Sequence, residues 1–361
     1  MEYPFNMLGS LLAFRGRVLQ DAESGAAYFN WTGSGFRCAF SGTRLCAKLK
    51  AIPGHVEGIE LPWIGITVDG GVALEKRIRV EDGEAWYTLY ETAHSGVHEI
   101  NIWKLTENLR GKCALLALET DGNLLKPETD NYSFRIEFVG DSITCGYGNE
   151  AAHRDDPFRT EEENGYITYA MCASRQLDAE PTCMSVSGIS VAVDADGPTP
   201  QELPGMEDLY AYTDAPFEQE FLGKDVCTKW DFATHPKDAV IINLGTNDVN
   251  MFKLASSRQR VESFFSEHYT QFLRHIRSCN GPDTFILCTL GPLDYYLYDQ
   301  IRGIVRAYQE KSGDRNIACF KYGGVVQWSE GYGAVGHPSA ATHRRMGEEL
   351  AAELRRYLYK T

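Results

Sequence analysis

From Phe134 onward, five short apolar runs alternate with segments of helix length, and few folds accommodate that rhythm. The runs are Phe134 to Val139, Thr182 to Val186, Ala239 to Leu244, Phe285 to Leu290 and Ile317 to Lys321. Between and after them, Tyr166 to Leu177, Arg258 to Arg277, Tyr298 to Lys311 and Ala340 to Tyr357 have helical length and patterning. Short runs that are mostly apolar, as in Ala239 to Leu244 and Phe285 to Leu290, suit strands buried on both faces, as in a parallel sheet covered by helices. The pattern predicts an α/β fold over residues 133–361: a three-layer, doubly wound parallel sheet. Ligands bind at the carboxyl ends of such strands, so the residues that follow each run are the ones to read for chemistry.

The earlier part of the chain keeps a different rhythm. From Ala26 to Thr120 the β-type runs AAYFNW, GFRCAF, RLCAKLKA, WIGITV, AWYTLYE, HEINIWKL and ALLALET are separated by turn residues. Seven or so such strands predict an antiparallel β-sandwich over residues 1–125. The polar stretch DGNLLKPETDNY, Asp121 to Tyr132, with Pro127 inside it, is the expected linker.

Four strand ends draw notice. After the first run comes Gly140-Asp141-Ser142, where Ser142 is either a cap for the turn that follows or a nucleophile. After the second comes SVSGIS, whose Gly188 either ends a strand or lets the backbone approach a ligand. The third ends in INLGTNDVN, where Asn247 is a turn former or a neutral donor toward a developing oxyanion. Near the C-terminus GAVGHPSAATH puts His337 just before Ser339, a plausible N-cap of the last helix. Serine, glycine, asparagine and histidine thus fall in order at ends of one sheet.

Composition narrows the partners. A formal net charge of -15 argues against nucleic acid and against an anionic membrane, and favours a neutral substrate. Ten cysteines are scattered singly with no C-x-x-C pair, which reads as reduced, buried thiols. The N-terminus has Glu2, no basic region and only a short apolar patch, so the expected location is cytoplasmic. No Walker or dinucleotide fingerprint is present and His94 and His98 lack an obvious third ligand, so neither cofactor nor metal is expected. The acids of EEENG, from Glu161, read as residues near the start of the helix that follows.

On these residues the sequence resembles the SGNH hydrolases, or GDSL-type esterases. GDSIT carries the family's serine, SGIS its glycine, GTND its asparagine and HPS its histidine. Within that superfamily, KWDFATHPKDAVIINLGTND and FNWTGSGFRCAFSGTRLCAKL resemble the second family of carbohydrate esterases. The resemblance implies a jelly-roll domain joined to a catalytic domain, and removal of acetyl groups from xylan- or mannan-derived saccharides through a serine acetyl-enzyme. It implies Ser142 as nucleophile and His337 as base. The N–H groups of Ser142 and Gly188 with the Asn247 side chain would form an oxyanion hole, and Asp141 and Asp248 would support it. The family usually has an aspartate two or three residues before the histidine, where this chain has Ala334 and Val335. Either a backbone carbonyl orients His337, giving a dyad, which is the favoured reading, or Glu330 supplies the carboxylate.

Trp328, Trp230, Tyr295 and Tyr296 are candidate walls for a pyranose, and the irregular stretch Asp194 to Pro216 a candidate binding loop. Two other functions stay open: a generic short-chain acyl esterase, and a catalytically weak carbohydrate-binding protein. The β domain could hold glycan or join subunits into a homo-oligomer, and the sequence does not choose.

Overall fold

Two rhythms become two sheets in the computed structural model, which describes residues 1–194, 203–254 and 257–359. One unit comprises Met1–Asn131 with Arg159–Tyr166, and the other Tyr132–Phe158 with Ile167–Thr361.

The first unit is an antiparallel sheet of ten strands. Runs that look separate in sequence are continuous in space: GFRCAF and RLCAKLKA form the 18-residue strand Gly35–Ile52, and AWYTLYE and HEINIWKL the 22-residue strand Gly83–Lys104. These two long strands pair along their length with register shifts between Gly42 and Arg44 and between Leu45 and Cys46. A bulge bends a strand and raises its twist, so the sheet curls upon itself as a half-barrel and all its strands stay in one hydrogen-bonded sheet. Gly42 makes the bend possible: its φ is +144°, and a Cβ there would lie 2.4 Å from a carboxylate oxygen of Asp121. That carboxylate accepts the Thr43 N–H at 2.9 Å and the Arg44 N–H at 3.1 Å. The concave face buries Phe29, Phe36, Phe40, Leu49, Ile66 and Ile102 completely.

The acids of EEENG do not serve the following helix. Glu163 is buried in the β unit, where its carboxylate accepts the Glu107 N–H at 2.9 Å. Burial, with the neighbouring Glu107, pushes its pKa up, against the pull of Arg110 and Lys104. Gly165 donates to the Leu105 carbonyl at 2.7 Å, and the Tyr166 ring packs on Trp103 at 5.2 Å. The helix expected from Tyr166 accordingly starts at Tyr169 and runs to Leu177.

The second unit holds five parallel strands in the order Ala179–Ser185, Phe134–Gly140, Ala239–Asn243, Phe285–Leu290, Ile317–Lys321. In chain order this is 2-1-3-4-5, which places the topological switch between the first and third strands. Helix Tyr169–Leu177 packs on Ala340–Leu358, and Arg258–Asn280 on Tyr298–Ser312. Ser339 caps the last helix by accepting the Thr342 N–H at 3.3 Å. Of the stretch Asp194 to Pro216, residues 195–202 lie outside the described residues. None of the ten cysteines forms a disulfide. Among the described residues no helix is long and apolar enough to cross a membrane, and no cluster of metal-ligating side chains occurs.

Candidate active site

Phe134–Gly140 ends directly in the four-residue helix Ser142–Cys145, and two features of its sequence allow so abrupt a turn. A Cβ on Gly140 would stand 2.0 Å from the Thr144 hydroxyl. Asp141 is the N-cap, accepting the Ile143 N–H at 3.0 Å. The capping role considered for Ser142 therefore belongs to Asp141. Ser142 occupies the first helical position, where the backbone N–H has no acceptor within the helix.

The Ser142 Oγ lies 3.0 Å from His337 Nε2, although 195 positions separate the two residues. On the other side of the ring, Nδ1 lies 3.1 Å from the Ala334 carbonyl. A carbonyl only accepts, so the proton sits on Nδ1 and the Nε2 lone pair faces the serine hydroxyl. Glu330, the alternative orienting group, is committed elsewhere: it binds Arg345 at 2.5 Å and accepts the Thr342 hydroxyl at 2.8 Å. Burial pushes its pKa up, but those hydrogen bonds outweigh it and hold the carboxyl below its ordinary value.

His337 is held by main chain. Ala334 donates to the Gly148 carbonyl (2.9 Å), Val335 to Asp156 (3.2 Å), Gly336 to Arg154 (2.9 Å) and Ala340 to Asn149 (3.0 Å). These four bonds fasten the histidine loop to the segment that follows Ser142. Close approach is possible because Gly148 has no side chain; a Cβ there would lie 2.4 Å from that of Ala334. Val335 adopts φ +51° and ψ +35°, left-handed backbone that a β-branched residue enters only under strain. Its turn brings the Ala334 carbonyl back to the N–H of His337, at 3.0 Å, and to the ring.

Gly188 follows the Ala179–Ser185 strand with φ +83° and is exposed. Asn247 follows Ala239–Asn243, and its Nδ2 donates to the Ile189 carbonyl at 2.9 Å, which fixes the amide beside the Gly188 turn. An amide carries two hydrogens, so one can be spent on position and the other on a ligand. Beneath, Asp248 accepts the Val191 N–H at 3.1 Å. Burial pushes the carboxyls of both Asp248 and Asp141 up to about 7; the Asp141 charge adds to the cost of ionising Asp248, and that of Asp294 to the cost of ionising Asp141.

The candidate sugar walls separate. Trp328 is 79% exposed and stands edge-on to Tyr332 at 5.3 Å in the loop that leads to His337. Trp230 stacks on His235 at 4.3 Å in the segment entering the amino end of Ala239–Asn243, so its ring is spent away from the strand ends that carry the serine and asparagine. Tyr295 is a brace: its one hydroxyl hydrogen is shared between the carbonyls of Gly324 at 2.8 Å and Tyr322 at 3.1 Å. Tyr296 is exposed beside Phe252, with ring centroids 5.8 Å apart.

Sequence reasoning missed Tyr147, whose ring lies on that of His337 with centroids 4.3 Å and planes 31° apart. Phe158 in turn lies 4.3 Å from Tyr147. The signal available was position, since Tyr147 stands only five residues after Ser142. Together these parts form a serine with a base and a fixed tautomer, with neutral donors following the two neighbouring strands, an arrangement suited to acyl transfer.

Residues 136–350 match the GDSL-like Lipase/Acylhydrolase family, and residues 14–127 the Carbohydrate esterase 2 N-terminal domain. The chain is 29% identical over 340 residues to the cellulase/esterase CelE of Acetivibrio thermocellus; that match takes in 91% of this chain and 37% of the length of CelE. It is 22% identical over 344 residues to an acetylxylan esterase / glucomannan deacetylase of Cellvibrio japonicus, across 91% of this chain and 84% of that protein. The structure of a family two carbohydrate esterase from Clostridium thermocellum in complex with cellohexaose superimposes with a TM-score of 0.80 at 29% identity, covering 96% of this chain and 99% of the other. The fold is shared as well by an acetyl xylan esterase (Est2A) from the rumen bacterium Butyrivibrio proteoclasticus, with a TM-score of 0.86 at 20% identity over 100% and 99% of the two chains.

Proposed function

Because the chain belongs to the GDSL-like lipase/acylhydrolase family, and to carbohydrate esterase family 2 within it, we propose that it removes acetyl groups from xylan- or mannan-derived saccharides through a serine acetyl-enzyme. The observation that carries this reading is the 3.0 Å contact between Ser142 Oγ and His337 Nε2, with Nδ1 tied to the Ala334 carbonyl. The named activities of the relatives, and the cellohexaose held by a family two esterase, support a glycan as the alcohol part of the ester.

In this reading Ser142 attacks the acetyl carbonyl as His337 Nε2 takes its proton. The oxyanion rests on the N–H groups of Ser142 and Gly188 and on the Asn247 amide. The proton then passes from His337 to the departing sugar oxygen, and water repeats the cycle on the acetyl-enzyme. Asp141 and Asp248 act on the scaffold by capping and buttressing. Trp328 is the aromatic best placed to meet a sugar ring, being exposed and close in sequence to His337.

The test is acetate release from acetylated xylan and glucomannan oligosaccharides. Ser142→Ala is expected to abolish it, and Asn247→Ala to lower turnover by about 10²- to 10³-fold without unfolding the protein. Release that persists in Ser142→Ala would end the proposal; cleavage of a simple acetyl ester but of neither glycan would overturn the substrate alone.

A further inference from the structure

A dyad histidine needs two things from its surroundings: a fixed ring plane, and stabilisation of the imidazolium that forms when it takes the serine proton. The Ala334 carbonyl secures the tautomer but brings only a dipole to the positive charge. Tyr147 offers more. Its backbone N–H donates to the Ser142 carbonyl at 3.1 Å, anchoring it to the serine turn, and its ring faces the imidazole at 4.3 Å and 31°. Phe158 stacks on Tyr147 at 4.3 Å and 35°. Both neighbours are tilted against Tyr147 at the same short centroid distance, so the phenol ring is packed against imidazole and phenyl at once. Tyr147, Phe158, Ala151 and Ala334 are one small buried cluster, which leaves Tyr147 no room to swing aside.

An aromatic face is electron-rich and attracts a cation with about 0.5–2 kcal/mol, more as water is excluded. We infer that Tyr147 is a positioning residue whose ring both sets the plane of His337 and favours its protonated form during acyl transfer. This rests on the serine-esterase reading above. Other groups around His337 include the Ser142 hydroxyl, His343 on the last helix, and Arg154 and Asp156 through their carbonyls to the loop, while the Glu330 carboxylate is turned to Arg345 and Thr342. His343 is buried and held neutral, its pKa pushed down to about 3 by burial and by His337, so it adds no competing charge near neutrality. None of these groups changes when Tyr147 is replaced.

The experiment is an NMR titration of the His337 ring in the full chain, identified by the signal lost in His337→Gln. Tyr147→Phe keeps the π face and is expected to titrate with wild type. Tyr147→Leu and Tyr147→Met fill the space without a π face, so the imidazolium loses support. The His337 midpoint should fall by about half to one pH unit, and kcat by roughly 3- to 30-fold. Two non-aromatic variants guard against one that misfolds, and thermal unfolding identifies it. Folded Leu and Met variants that titrate with wild type would overturn the inference, as would a Tyr147→Phe midpoint displaced as far as theirs. The titration needs no turnover: shifted midpoints in a protein that never releases acetate would sink only the esterase reading, and unshifted midpoints in an active enzyme only the role of Tyr147.

Discussion

Val335 and the two buried aspartates are residues whose placement works against their own preferences. A β-branched side chain at φ +51° costs on the order of 1–3 kcal/mol, and 61% of Val335 is exposed, so little packing returns it. Glycine tolerates that backbone but costs some unfolded-state entropy. Val335→Gly is therefore expected to stabilise by about 1 kcal/mol and to leave esterase turnover within a few-fold, as thermal unfolding and kinetics would show. A drop in melting temperature would mean that Val335 is not strained. Asp141 and Asp248 carry pKa values near 7 in the fold against an ordinary 3.8, so folding binds protons. Their contribution is fully present below pH 4 and is lost as pH rises through 7. Asp248→Asn keeps an acceptor for Val191 and removes one titration, and is expected to raise stability at pH 8 by an order of 2–4 kcal/mol while flattening the slope between pH 4 and 7. Parallel stability-pH curves for the two proteins would contradict this.

The elements divide by how much of their geometry is local. A strand buried on both faces announces itself as an apolar run, so Phe285–Leu290 begins and ends where the sequence suggests, as does the half-buried edge strand Ile317–Lys321, and the four long helices agree to within a few residues. The β unit was less legible because a bulge alters the number of strands without altering composition: Gly42 joins two runs that a pattern reader separates. Of the site, Ser142 and His337 stood out because both follow from strand order, whereas Tyr147 and Gly148 act through ring and backbone contacts with residues far along the chain. Glu163 misled for a related reason: its burial depends on Glu107, more than fifty residues earlier, and nothing nearby in sequence signals it. Gly148→Ala is expected to lower kcat by at least about tenfold, since a Cβ 2.4 Å from Ala334 at φ +52° must move the histidine loop; unchanged kinetics would show that the loop adapts.

On the scale of the molecule, the chain passes between the two units three times, because Arg159–Tyr166 returns to the β unit before the second unit is finished. A fragment ending at Asn131 lacks the Glu163 acceptor, the Gly165 donor and the Tyr166 ring that complete the β unit. Such a fragment is expected to unfold at a markedly lower temperature than the same fragment with residues 159–166 restored through a flexible linker; equal melting would make that return passage dispensable. The four main-chain bonds that hold the histidine loop to residues 148–156 have a different consequence. A backbone amide donates whatever side chain it carries, so this fastening constrains residue identity mainly at Gly148, at Gly336 with its φ of +72° and at the left-handed Val335. Descendants of this chain could therefore redraw the rim of the site, at Arg154 and Trp328, and so change which ester enters while inheriting an unaltered catalytic pair. The machinery is mutationally insulated from the selectivity built around it.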